Sequence, residues 1–529
     1  MLVKRPILRT LAVLSLAGIS ITGCNLSVRS SKGTPTPTPM PSPTLTAAVT
    51  ATATGTPTVT LAPTITPVPS RTPTPTTPPV PTVTFTPTAT PYPATGLAND
   101  QWQTVTIPDS LRNGLDRPYF SIVSANERTG GISNPNTPMP ASEVETLYMV
   151  DPLNGQKIEV FDLPASTEAR IFWAPDGKKL VYFMEPTLLE DGTRAGGLYL
   201  LNLSLGVSLR LFNIPSLNPR GIPDHRPAWS PDSSQLAVAL PTAYDVDIFI
   251  ISADGSTFEN ATAEGSYDLW PTWSPDGRRL AFVSDRNRCP TWAPGEPGSC
   301  SSLDATPPTG GNLLVMDVAT GNVQQISEVW VDGPPMWVSN LQIAFTTGLS
   351  DPLSTQSDIW ITNIQAGTAR RITEADGSLN LGAAWSPGGV QVLYHRASEP
   401  SGVILKDTNG NLVGSIDEYL FSRFGFSAAW SPGGEWVAFG GKSGQCPYGL
   451  VVARNNLDIS FAADTPHACD PSYSPDGRWL AYAGIQTRTG AADARLDLYI
   501  ADANGYAARN LTSQLKGEVR LVGWVGPTP

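Results

Sequence analysis

The chain carries three imidazoles, His225, His395 and His467. Histidine changes charge near neutral pH and is the commonest protein ligand for a transition metal. A zinc-peptidase helix would read H-E-x-x-H, and no such run occurs. No G-x-S-x-G elbow is present to raise a serine nucleophile. The run GGKSG at 440–444 resembles the end of a phosphate loop, but the upstream glycine that loop requires is replaced by Trp436. The segment also follows a hairpin instead of opening a helix. Five cysteines complete the reactive set: Cys24, Cys289, Cys300, Cys446 and Cys469. No C-x-x-C pair favours zinc. The last four form an even set, so disulfides are expected if the chain is exported, with three pairings open. Neither a catalytic residue, a metal nor a cofactor is called for by spacing alone.

The elements that must position these residues are set by a repeat. WSPDGRRLAF begins at Trp273, and its relatives begin at Trp173, Trp229, Trp385, Trp430 and Tyr473. A worn copy, WVSNLQIAF, begins at Trp337, and a stub, GWVGP, surrounds Trp524. In each copy an apolar residue ends one strand before Ser-Pro. Pro presets φ, Asp bonds to the backbone and Gly accepts positive φ, which makes a tight turn. The LAF or VAF that follows reads as a second strand. A third strand comes later, as in DIFIIS from Asp247, DIWITN from Asp358 and DLYIAD from Asp497. A fourth ends in runs such as RRIT at Thr373 and RNLT at Thr512.

Four short strands per unit, with marks about 50 residues apart, specify a β-propeller. The stub at Trp524 has only a first strand. Its missing partners lie upstream, in PYFSIV from Pro118, TLYMVD from Thr146 and QKIEVF from Gln156. The expected fold is therefore all-β: an eight-bladed propeller closed by a composite blade from both ends of the chain. Closure in this way leaves no open sheet edge. Seven blades is the alternative, because the copy at Trp337 lacks its Pro-Asp-Gly turn.

WSPDG, LAF, the D-[IL]-[WYF]-[IV] strand and R-x-[IL]-T together resemble the TolB-type propeller repeat over roughly Pro118 to Trp524. The same repeat occurs in the propellers of prolyl oligopeptidase-type enzymes. With no nucleophile elbow and no hydrolase-like segment after Trp524, peptidase activity is not expected. The family topology puts blade-to-blade loops and loops between second and third strands on one face. That topology implies the pairings Cys289–Cys300 and Cys446–Cys469, and it gathers the histidines near the channel mouth. Some propeller lyases hold a metal at such a mouth. Here nothing in the sequence pairs the histidines, and they read as loop residues of separate blades.

Residues 1–24 read as an export signal: Lys4, Arg5 and Arg9 precede an apolar run from Leu11 to Ile21 that is too short to span a membrane. ITGC, ending at Cys24, resembles the bacterial lipobox, which implies cleavage before Cys24 and lipid on its thiol. Residues 25–98 are Thr-Pro repeats with almost no charge. Such a segment is expected to stay disordered and extended, a spacer reaching on the order of 200 Å at about 3.1 Å per residue. Residues 99–529 are the expected propeller. With 34 Lys+Arg against 46 Asp+Glu, a net of −12, nucleic acid is not an expected partner.

The loop-rich face carries SYDLWP (266–271), VWVDGPP (329–335) and EYLFSRFGF (418–426). Aromatics beside carboxylates suit a protein or glycan surface. The candidate face is therefore Trp270, Trp330, Phe421, Phe424, Asp268, Asp332 and the three histidines. Two functions follow. One is a lipid-anchored extracytoplasmic module, at the cell surface or in the periplasm, that binds a protein or glycan ligand. The other is a propeller lyase or glycosidase working on a polysaccharide at the channel mouth.

Overall fold

The computed structural model describes residues 102–526, apart from 126–144, 164–169, 189–193, 213–225, 302–305, 350–352, 422–424, 463–466, 486–494, 516–518 and positions 243, 418, 420, 443 and 445. Each repeat copy folds for the same local reasons. The Ser274 hydroxyl donates to Asp276 Oδ1 at 2.6 Å and accepts the Arg279 N–H at 2.9 Å, and the Gly277 N–H closes the turn on Ser274 O at 2.8 Å. Gly277 sits at φ +69°, a conformation that a side chain would strain. Ser230 with Asp232 and Ser474 with Asp476 repeat the same lock.

The strands assemble into eight sheets, and the blade number expected from the repeat is observed. The closing blade runs Val519–Val525, Tyr119–Ala125, Glu145–Val150 and Lys157–Leu163, with Trp524 opposite Phe120. The worn copy also builds a full blade: Met336–Ser339, Gln342–Thr347, Asp358–Asn363 and Thr368–Arg371. Its first hairpin turns tightly between Ser339 and Gln342 without Pro-Asp-Gly.

The tryptophan of the repeat joins neighbouring blades. The indole N–H of Trp229 donates to Phe172 O, that of Trp273 to Ala228 O and that of Trp337 to Thr272 O, at 3.0–3.1 Å. Trp430 reaches Ala384 O and Trp524 reaches Ser472 O, both at 3.0 Å. Each acceptor immediately precedes the aromatic mark of the previous blade, so these bonds tie the first strands of five neighbouring pairs of blades. Apolar side chains fill the space between sheets. One such layer sets Ala237, Ile248 and Ile250 against Leu280, Phe282, Leu314 and Met316. Full burial of side chains of this size is worth roughly 1.5–3 kcal/mol each.

A second recurring device braces third and fourth strands. Thr262, Thr373 and Thr512 donate their hydroxyls to Asp247, Asp358 and Asp497 at 3.2, 2.7 and 2.9 Å. The same hydroxyls accept the N–H of Ile248, Ile359 and Leu498. Asn260, Arg371 and Asn510 satisfy the remaining carboxylate oxygens.

The described chain begins outside the ring. Trp102–Thr104 pairs antiparallel with Val207–Leu209, adding a fifth, outermost strand to the blade whose first strand is Arg170–Trp173. Ile107 and Leu111 then bury against the propeller, at 3% and 2% exposure. Gly206 permits this approach: its φ is +66°, and a Cβ there would lie 3.0 Å from the Val105 backbone carbonyl oxygen.

Candidate binding face

The start of each first strand and the loops beside it form one rim. In the blade built from Asp268–Trp273, Arg279–Ser284, Gly311–Asp317 and Val323–Val331, a long insertion is closed by the Cys289–Cys300 disulfide. Below the insertion, Asp285 accepts the Trp292 indole N–H at 2.9 Å and the Tyr267 backbone N–H at 2.8 Å. Trp292 meets Tyr267 edge-on at 5.1 Å. Burial pushes the Asp285 carboxyl above the usual carboxylate range.

Asp268 opens the first strand of this blade and is fully buried. Arg286 donates to both of its oxygens, at 3.1 and 2.9 Å, and lies 3.7 Å from Glu264. Burial nevertheless dominates, and the Asp268 carboxyl is pushed up to about 6.

Trp330 is half-buried, with the Arg288 guanidinium 3.6 Å from its ring centroid. Such stacking fixes the aromatic plane. Asp332 lies nearby in sequence and is half-buried.

Four of the sequence-chosen residues, the fully buried Asp268 among them, have a different environment from the one expected. Trp270 is buried, at 4% exposure, within the core between blades. Its φ of +52° lies in a register shift between Leu269 and Thr272, and this bulge turns the indole inward. Phe421 is also buried, packed with Phe426, Tyr419 and Tyr448 at ring distances of 5.1–6.4 Å. His395 lies beneath these rings at 0% exposure, 5.2 Å from Phe421, with Nε2 3.2 Å from Tyr419 O. Burial holds its imidazole below the usual histidine range. Trp270, Phe421 and His395 are therefore packing residues of this rim and offer no exposed contact surface. His467 is exposed at the head of His467–Tyr473. Phe424 and His225 fall outside the described residues.

The second disulfide joins Cys446 to Cys469 and ties two neighbouring blades, with Cys469 inside a first strand instead of the loop before it. Closed loops of this length are worth roughly 3 kcal/mol each by chain entropy. Among the described residues no group of three or more His, Cys, Asp or Glu could hold a metal ion. No described helix is long and apolar enough to cross a membrane.

A cavity of about 540 Å³ opens where three successive first strands meet. Arg170, Arg226 and Arg520 line it, with Ile171, Phe172, Pro227, Leu521 and Val522 as apolar wall.

Residues 173–291 match the family model of the TolB β-propeller domain. Over these residues the chain carries the TolB-type propeller repeat. This TolB-type propeller is 25% identical over 148 residues to a TolB homologue of Chlorobium luteolum, covering 28% of each chain. It is 38% identical over 60 residues to a TolB homologue of Chlorobium chlorochromatii, covering 11% of this chain and 13% of that one. The match thus spans less than a third of the length of these relatives. TolB from Acinetobacter baumannii aligns at 18% identity with a TM-score of 0.29, covering 68% of this chain and 82% of that one.

Sequence reasoning missed the arginine cavity of the TolB-type propeller. Its signal was present: Arg170 and Arg226 hold the same place in their copies, three residues before Trp173 and Trp229. The Asp–Thr brace is written in the sequence as D at the start of the third strand and T at the end of the fourth.

Proposed function

We propose that this TolB-type propeller is an exported binding module, held outside a bacterial cytoplasmic membrane by lipid on Cys24 and spaced from it by residues 25–98. Its loop-rich face meets a protein or glycan ligand. The observation that carries this reading is Trp330: a half-buried indole capped by Arg288 at 3.6 Å, beside an insertion closed by a disulfide. A surface already ordered before binding loses less entropy when it binds. Asp268 and His395, the perturbed groups that a channel-mouth enzyme would use, are both sealed from solvent at 0% exposure. That supports binding over catalysis.

The test is to screen the purified chain on glycan and peptide arrays and repeat the binding measurement with Trp330→Ala. A loss of more than tenfold, about 1.4 kcal/mol, with unchanged melting is expected for an anchor residue. Normal binding by a variant that melts early would make Trp330 a packing residue and remove the support for this face.

A further inference from the structure

We propose that the cavity shared by the closing blade and the two blades after it binds a small, multiply charged oxyanion, a carboxylate or a phosphate, through Arg170, Arg226 and Arg520. The proposal rests on the reading that ligands approach this face, and it names the chemistry one sector of that face would take.

The repeat itself supplies the control. Trp173 and Trp229 are preceded at three residues by Arg170 and Arg226, whereas the same step back from the mark gives Trp270, Pro334, Gly382, Ser427 and Asp470 in other copies. The blade folds with any of these, so the fold does not require arginine there. Both guanidinium side chains are exposed and belong to no core layer. Arg520, on the strand that closes the ring, brings a third beside the same cavity and is steadied by Glu145 at 3.1 Å. Among the described residues lining the cavity none is an Asp or Glu.

Three arginines from three blades line one cavity in a chain of net charge −12. Guanidinium presents planar paired donors that match the oxygens of a carboxylate or phosphate. A volume of about 540 Å³ admits a ligand the size of a tricarboxylate. Ile171, Phe172, Pro227, Leu521 and Val522 complete the wall.

The full chain is to be titrated calorimetrically with citrate, with pyrophosphate and with acetate at constant ionic strength. One saturable site for citrate or pyrophosphate is expected, with acetate at least tenfold weaker. Binding of citrate alone identifies carboxylate as the ligand group, and binding of pyrophosphate alone identifies phosphate. Arg170→Gln with Arg226→Gln should weaken the favoured probe at least tenfold and leave ligand-free melting unchanged, while Trp330→Ala should titrate like the parent. If the double variant melts early, Arg170→Lys, which keeps the charge and loses the planar fork, must still weaken binding several-fold. Absence of saturable binding, or full affinity in the arginine variants, overturns the proposal. Loss of this site with a Trp330-dependent ligand retained sinks only this inference. The reverse result sinks only the broader reading of the face.

Discussion

Replacing Asp268 by asparagine tests whether burial or pairing governs the carboxyl at the head of its strand. The carboxyl rests near 6 in the folded chain because burial outweighs the Arg286 pair. An unfolded Asp titrates near 3.9. A folded value above the unfolded one means that stability from this group is complete below about pH 4 and is lost as pH rises through about 6. Two pKa units correspond to about 3 kcal/mol. A folded domain of this length changes entropy on unfolding by about 0.9 kcal/mol per degree, so the loss is worth about 3 °C of melting temperature. The amide of the Asp268→Asn variant has nothing to titrate. The difference in melting temperature between variant and parent should therefore move about 3 °C in the variant's favour between pH 4 and pH 7.5. Other carboxyls, such as Asp254, held down at about 2 by serine hydroxyls, act equally in both proteins and cancel. Calorimetric melts at both pH values would decide it. A difference that stays constant with pH would show that Arg286 keeps the carboxylate charged throughout, and the argument from burial would fail.

Deleting residues 516–529 should lower the melting temperature and cause aggregation, since it strips the strand paired with Tyr119–Ser124; light scattering during a melt would show it, and a truncation as stable as the parent would place the closure elsewhere. Tyr473→Phe should hold or raise stability by about 1 °C in a melting scan, because its hydroxyl is buried without a hydrogen bond among the described residues and an unmet polar group costs about 1 kcal/mol or more. Cys24→Ala should abolish incorporation of a labelled fatty acid in cells, and label retained on the variant would refute the anchor.

Architecture was legible because the repeat writes the same turn many times. Pro-Asp-Gly fixes a hairpin wherever it occurs, and Trp524 announces a strand whose partners must lie upstream. Both disulfides followed from the shared rim that the family topology implies. Side-chain direction was another matter. Trp270 has the composition of a surface aromatic, yet one bulge at φ +52° reverses its heading, and no single-sequence signal marks that bulge. His395 lies at a strand end that alternation alone would leave near the rim, and Tyr419, Phe421 and Phe426 cover it through contacts distant in sequence. The arginine cavity belongs to three blades at once, so its members look unrelated along the chain.

The outer strand Trp102–Thr104 determines how the propeller bears force. A pull from upstream residues first meets three backbone pairs at the rim of a blade, then the plug formed by Ile107 and Leu111. Only after both give way does tension reach Tyr119–Ala125, the strand bonded on one side to Glu145–Val150 and on the other to Val519–Val525. That strand carries the clasp of the whole ring. The outer strand thus lies in series ahead of the clasp, and a pull from upstream must open its three pairs before it loads the ring.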